Sequence, residues 1–252
     1  MVQFEFEGRI AIVTGGIKGI GLAVAEALVN AGARVAITYI DDDKSANRAE
    51  MLLRGRTNRE CLVVKSDASD RRNIRTLIKK IEARWHMPVS FIVNNAGILK
   101  QGDFFEITDG QWETTMRTNL MGPFILCQEL MKKMAPGGSI VNVASVGGQI
   151  GGDKAPDYAA SKAGLISLTR SLARIGSRHG VRVNAIAPGW IQTPIFSDDQ
   201  IAKLRIKAKE TIPLGRIGTP EDVAPAVLFL LSEAASYITG HCLNVNGGLF
   251  FG

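Results

Sequence analysis

The chain has 252 residues, of which 46% are hydrophobic and 21% charged, with a net charge of +6. That composition can bury one large core, which excludes a disordered chain, and the length suits a single α/β domain. The three cysteines are widely spaced, which excludes a disulfide scaffold, and no apolar run reaches the roughly 18 residues of a membrane span.

The first element is a short apolar run, Ile10 to Val13, which reads as a buried strand. It ends in Thr14-Gly15-Gly16-Ile17-Lys18-Gly19-Ile20-Gly21. Apolar residues then recur at helical spacing at Ile20, Val24, Ala27 and Leu28, and Gly32 closes that helix. A second apolar run, Val35 to Ile40, completes a strand, glycine turn, helix, strand unit. In such a unit Gly15 permits the tight turn, Gly19 lets backbone approach a pyrophosphate, and Gly21 lets helix and strand pack closely. The helix N-terminus offers free N–H groups and the positive end of its dipole to phosphates. The spacing is G-x-x-x-G-x-G rather than G-x-G-x-x-G, so a dinucleotide is the expected ligand and an ordinary glycine-rich βα turn the alternative.

The residue that ends the second strand bears on which dinucleotide. An acid there would bind a ribose 2′-hydroxyl and repel a 2′-phosphate. Here the position is Tyr39, and Asp41, Asp42 and Asp43 follow as candidates for the cap and first turn of the next helix. Lys18 sits inside the glycine turn, within reach of a 2′-phosphate. Charge complementarity therefore favours NADP(H), with NAD(H) as the alternative.

The same alternation continues. A polar helix is expected to end over Met51 to Arg59, followed by a third strand, Cys61 to Val64, that leads to Ser66 and Asp67. Ile74, Leu77, Ile78, Ile81 and Trp85 form one helix face. A fourth strand, Val89 to Val93, runs into Asn94-Asn95-Ala96-Gly97. A long helical region is expected from about Gln111 to Met134, perturbed at Pro123, which has no N–H to donate. The fifth strand, Ser139 to Val143, leads to Ser145, and Pro156 starts a further helix. A sixth strand, Val181 to Ile186, runs into Pro188-Gly189, a last full helix spans Pro220 to Leu231, and Cys242 to Val245 is a seventh strand. This order argues for a single-domain Rossmann-type doubly wound sheet of about seven parallel strands, with helices on both faces. Ligands in such sheets bind beyond the carboxyl ends of the strands.

The helix that begins at Pro156 carries Tyr158 and, one turn on, Lys162 on the same face. A phenol titrates near ~10, and an adjacent ammonium would favour the phenolate. Bringing the phenol to neutrality would need roughly 4 kcal/mol of differential stabilisation. Ser145, at the exit of the fifth strand, would project toward the same cleft.

Together these segments resemble the short-chain dehydrogenase/reductase family over essentially the whole chain. The matching pieces are Thr14-Gly15-x-x-x-Gly19-x-Gly21, Asp67, Asn94-Asn95-Ala96-Gly97, Asn119, Ser145, Tyr158-x-x-x-Lys162 and Pro188-Gly189 with Thr193. The resemblance implies that Tyr158 is the general acid/base and that Ser145 holds the substrate oxygen. Lys162 would lower the tyrosine pKa and hold the nicotinamide ribose, and Asn119 would hold a water in a proton relay. Asp67 would contact adenine, Asn94 cofactor and strand backbone, and Thr193 the carboxamide. Ile20, Ala68, Ala96, Gly97, Pro188, Gly189 and Ile191 complete the expected cofactor contacts. The expected reaction is hydride transfer between the cofactor and a carbonyl or secondary alcohol.

His86, His179 and His241 are scattered and the cysteines fit no ligand spacing, so no catalytic metal is expected. The cysteines and the lack of a charged-then-apolar leader point to a cytoplasmic protein. Basic residues outnumber acidic ones over residues 54–84, but no nucleic-acid motif accompanies them. The substrate should lie between Gly147–Asp153 and a lid at about residues 190–212, whose Trp190, Ile191, Ile195 and Phe196 suggest an apolar pocket. The resemblance lies near 3-oxoacyl-acyl-carrier-protein reductases, with a sugar or secondary-alcohol dehydrogenase as the alternative and a non-enzymatic dinucleotide sensor as a second. Lys132, Lys133, Arg174 and Arg178 are candidates for meeting an acidic carrier protein. By the same resemblance a homotetramer is expected.

Overall fold

The computed structural model describes residues 4–56 and 61–252. Seven strands form one sheet: β1 (Ile10–Val13), β2 (Arg34–Tyr39), β3 (Cys61–Lys65), β4 (Phe91–Asn94), β5 (Ser139–Val143), β6 (Arg182–Pro188) and β7 (Cys242–Val245). Their order is β3-β2-β1-β4-β5-β6-β7, and every neighbouring pair is parallel. The strand order reverses between β1 and β4, so the connections leaving their carboxyl ends turn to opposite faces of the sheet and leave a crevice between them. The expected sheet is the one observed.

Parallel strands must be covered on both faces, and β1 shows how. Ala11 and Val13 face one core, shared with α1 (Gly19–Asn30), α2 (Asp43–Arg56) and α9 (Pro220–Leu231) through Leu28, Leu53 and Val227. Ile10 and Ile12 face the other, shared with α3 (Arg71–Trp85), α5 (Gly122–Leu130) and α7 (Pro156–Gly176) through Ile74, Leu126 and Leu172. Alternation along one strand thus builds both layers. Each fully buried aliphatic side chain here contributes about 1.5–3 kcal/mol of transfer free energy.

Local chemistry sets the helix ends. Asp42 caps α2 by accepting from Ser45 N–H at 3.0 Å, which makes it the helix cap expected of this acidic run. The expected end of α2 at Arg59 lies outside the described residues. The single long helix expected from Gln111 is instead α4 (Asp109–Met116), a π turn (Arg117–Met121) and α5. Pro123 occupies the first turn of α5 and cannot donate to the Asn119 carbonyl four residues back. The extra residue of the π turn absorbs that missing bond, and π turns concentrate at functional sites. Two helices had no counterpart in the sequence reading: α6 (Gly147–Ile150) and α8 (Asp198–Thr211). The second of these falls within the segment expected to act as a lid.

Candidate active site

The glycine turn is held by the neighbouring strand end. Thr14 Oγ1 accepts from Asn95 and Ala96 N–H, both at 3.0 Å. Asn95 Nδ2 donates to the carbonyls of Thr14 and Gly15 at 2.9 and 3.0 Å. Gly15 and Gly19 have φ of +63° and +56°, where a side chain would be strained. Lys18 precedes α1 with no side-chain cap, and no acid stands in the first helical turn. The first-turn N–H groups are therefore free to meet an anion.

Beyond the strand ends lies a groove of about 1220 Å³. At one end it is lined by Gly15, Lys18, Gly19, Ile20, Tyr39, Asp67 and Ala68, and in the middle by Ala96, Gly97, Pro188, Gly189, Ile191 and Thr193. Ser145, Tyr158 and Lys162 line its floor. Three expected contacts do not line it. Gly21 sits behind the turn, where a Cβ would lie 2.4 Å from both the Gly15 carbonyl oxygen and Asn95 Nδ2. Asn94 is buried and turns away, donating to Asn142 Oδ1 at 2.8 Å, so it ties β4 to β5 while Asn95 faces the groove. Alternation of side chains along β4 separates the two asparagines. Asn119 is fully buried.

Asn119 nonetheless borders the catalytic candidates. Its Oδ1 accepts from Ile98 N–H at 2.9 Å, and its Nδ2 donates to Ile98 O and Ser161 Oγ, both at 3.0 Å. A Cβ on Gly97 would stand 3.2 Å from Asn119 Oδ1 and 3.3 Å from Lys162 Nζ, so both close on the same glycine. With the side chain committed, a water expected at Asn119 would have to use its main-chain carbonyl, which Pro123 cannot reach as a donor.

Lys162 is 3% exposed and donates from Nζ to Val143 O at 2.7 Å. Burial lowers its pKa to about 8. Its Nζ lies 5.6 Å from the centroid of the Tyr158 ring. Burial pushes the Tyr158 phenol up, and a hydrogen bond with Ser145 pulls it partly back. Ser145 Oγ accepts from Gly147 N–H at 3.1 Å, which leaves its own proton to point at the phenol. The direction is opposite to the lowered phenol that the four-residue spacing suggested. Partial burial disfavours the phenolate and full burial the ammonium, and the ammonium is engaged by a carbonyl.

Burying that ammonium costs stability. The cost is full below pH about 8, and it is relieved as pH rises toward the ordinary 10.5 of lysine, because the folded state gives up a proton the unfolded chain keeps. Lys162→Met should therefore be more stable than the wild type at pH 7, by on the order of 1–3 kcal/mol, while losing activity. Thermal melts from pH 7 to 10 check this. A stability gap that fails to narrow above pH 8 would remove the assigned cause.

The residues fit a nicotinamide dinucleotide. The uncapped N–H groups and the positive-φ glycines of the turn line one end of the groove. At the Tyr39 end Ser66 lines the wall with a buried hydroxyl that has no hydrogen-bond partner among the described residues. Such an orphaned donor suits a ligand. Ser66, Asn95 and Asp42 join the residues expected at this site from sequence. Asp42 lies 3.6 Å from Lys18 Nζ, a pairing that no sequence spacing announces. Among the described residues, no group of histidine, cysteine, aspartate or glutamate could hold a metal ion.

A family model described as enoyl-(acyl carrier protein) reductase matches residues 15–250. The 3-oxoacyl-acyl-carrier-protein reductase FabG of Aquifex aeolicus is 38% identical over 99% of this chain and 100% of its own. Human (3R)-3-hydroxyacyl-CoA dehydrogenase is 36% identical over 99% of this chain and 98% of its own. A crystal structure of a short-chain dehydrogenase/reductase, glucose/ribitol dehydrogenase, from Brucella melitensis superposes with a TM-score of 0.93 at 32% identity, covering all of both chains.

Proposed function

The chain belongs to the short-chain dehydrogenase/reductase family, and we propose that within it this protein reduces 3-oxoacyl thioesters with NADPH. It is an oxidoreductase acting on C=O and CH–OH groups. The observation that carries the reading is the meeting of Ser145, Tyr158 and Lys162 on the floor of one groove with the uncapped glycine turn. Apolar Ile98, Leu99, Ile195, Phe196 and Leu204 line the same groove and suit an acyl chain better than a polyol.

The glycine turn and the α1 N-terminus would hold the pyrophosphate, Ser66 and Asp67 the adenosine end, and Lys162 and Thr193 the nicotinamide end. When bound, the cofactor supplies or accepts the hydride. Tyr158 Oη holds the proton that the substrate oxygen receives, and its raised pKa keeps that proton in place at neutral pH. The Ser145 hydroxyl meets the charge that grows on the same oxygen. Lys162 keeps a positive charge beneath the phenol ring below pH about 8. The Asn119 carbonyl, to which Pro123 cannot donate, would accept from a water that links Lys162 to solvent as a proton relay. Purified protein, NADPH and a 3-oxoacyl thioester, followed by absorbance, test the reading. Binding of NADPH without turnover would favour a sensor.

Lys18 favours the 2′-phosphate of NADP(H), and Asp42 competes for the same ammonium across an exposed pair. Asp42→Asn should raise the preference for NADPH over NADH by about 3-fold, and Lys18→Ala should lower it by a similar factor, as expected for a solvent-screened pair. The ratio of kcat/KM for the two cofactors reads both. An unchanged ratio in Lys18→Ala would remove its role.

The reading also makes residues 190–212, which hold α8, a lid over the substrate. It makes the protein a cytoplasmic homotetramer joined through α4, α5 and α7. Trp112, Met121 and Ile175 stand exposed on that side at 43%, 48% and 49%. Lys132, Lys133, Arg174 and Arg178 would face an acidic carrier protein. Among the described residues, no helix is long and apolar enough to cross a membrane. Native mass measurement decides the assembly.

A further inference from the structure

At the substrate end of the groove the chemistry of the wall changes. Three segments converge there: the loop after β4, the loop at 151–154, and α8. Gln200 on α8 donates to Gln101 on the opposite loop at 2.9 Å, and Gly102 N–H donates to the Lys154 carbonyl at 2.9 Å. The three segments are thus joined into one rim. Part of this wall is apolar, with half-buried Phe196 and Leu204 and the exposed Ile195. At the rim it is cationic: Lys154 lines it from the loop, and Lys203 and Lys207 line it from α8.

The two α8 lysines are four residues apart, so they share one face of the helix, and the groove-lining Leu204 lies beside them. Lys207 is held in place, with its Nζ 5.6 Å from the centroid of the Trp190 ring. Lys203 pairs at 2.6 Å with Asp199, both more than 70% exposed. Asp153 is the one carboxylate among the described residues that lines this end, so the rim keeps an excess of positive charge. An apolar wall with a cationic rim fits a molecule that joins an apolar head to an anion.

We propose that Lys154, Lys203 and Lys207 form a phosphate subsite that binds the phosphate of a phosphopantetheine-type arm while the acyl head lies against the apolar wall. The proposal rests on the thioester-reductase reading and extends it to the handle by which the substrate is gripped. The phosphate could belong to coenzyme A or to a carrier protein, and the shared chemistry is the phosphorylated pantetheine arm. Ammonium groups at a partly enclosed rim bind it as point charges, screened by salt.

The experiment compares the same 3-oxoacyl group on four carriers: pantetheine, 4′-phosphopantetheine, coenzyme A and acyl carrier protein. These are assayed with the wild-type enzyme and with Lys203→Ala/Lys207→Ala and Lys154→Ala variants. The wild type should show a KM about 10-fold lower for phosphopantetheine than for pantetheine, at similar kcat. In the double variant that difference should shrink to about 2-fold, with the pantetheine KM unchanged. Raising the salt concentration should narrow the wild-type difference in the same way. A pantetheine KM that rises as much as the phosphopantetheine KM would assign the lysines to lid folding and overturn the subsite. Equal wild-type KM values for the two arms would overturn it as well, while leaving the reductase reading intact. Failure of the wild type to reduce any of the four thioesters would overturn the reductase reading and the subsite together. A difference retained with coenzyme A but absent with the carrier protein, or the reverse, identifies the source of the phosphate.

Discussion

Tyr158→Phe is expected to lower kcat/KM for carbonyl reduction by about 1,000-fold, within the range for loss of a positioned acid. The substitution keeps the ring, so the packing of α7 and the hydrogen bond of Lys162 to Val143 should survive. Only the hydroxyl that pairs with Ser145 is removed. Dinucleotide affinity, measured by fluorescence titration, should change by no more than about 3-fold, because the pyrophosphate site is untouched. The wild-type rate of reduction should hold through neutral pH and fall as pH rises past about 8, where Lys162 loses its charge. A phenylalanine variant with undiminished turnover would end the mechanism proposed for this site.

Gly21→Ala should abolish usable cofactor binding, raising the dinucleotide Kd by at least about 100-fold. The added Cβ would sit 2.4 Å from the Gly15 carbonyl and from Asn95 Nδ2, and both atoms belong to the hydrogen-bonded lock between β1 and β4. Neither is the free end of a flexible chain, so the turn or the helix must move. Overpacking of this kind costs about 1–3 kcal/mol of stability, read as a lower melting temperature. Gly55→Ala is the matching control, since among the described residues nothing lies within 4 Å of the Cβ it would add on α2. It should leave cofactor binding unchanged and be neutral or slightly stabilising. Equal affinity in the two variants would show that close packing at position 21 does not shape the pyrophosphate site.

The strands and most helices were legible because each is written in a local code. Ile10 to Val13 and Ser139 to Val143 are short apolar runs bounded by turn residues, and Ile74 to Trp85 repeats at helical spacing. The helix around Asn119 differs in form from the single helix its sequence suggests. Pro123 announced a disturbance, but whether the chain would kink, break or take a π turn depended on what packed against it. Helix α8 went unseen because its residues alternate between acid, base and apolar without a clean stripe. It is fixed by the Ser197 capping box and by the small cluster of Ile201, Ala208, Ile212 and Ile217.

The glycine spacing, the tyrosine and lysine one turn apart, and the alternation of strand and helix determined the family, the sheet and the groove, because each is set by neighbours within a few residues. Three things were decided by the tertiary structure alone. The burial that raises the phenol and lowers Lys162 comes from β5 and the Gly97 loop, which lie far from them in sequence. The division of labour between Asn94 and Asn95 follows from which face of β4 meets the crevice. The pairing of Lys18 with Asp42, and the gathering of Lys154 with Lys203 and Lys207, arise because crossovers bring distant segments to one end of the sheet. Electrostatic free energy depends on distance and solvent exposure, which the order of residues along a chain does not contain.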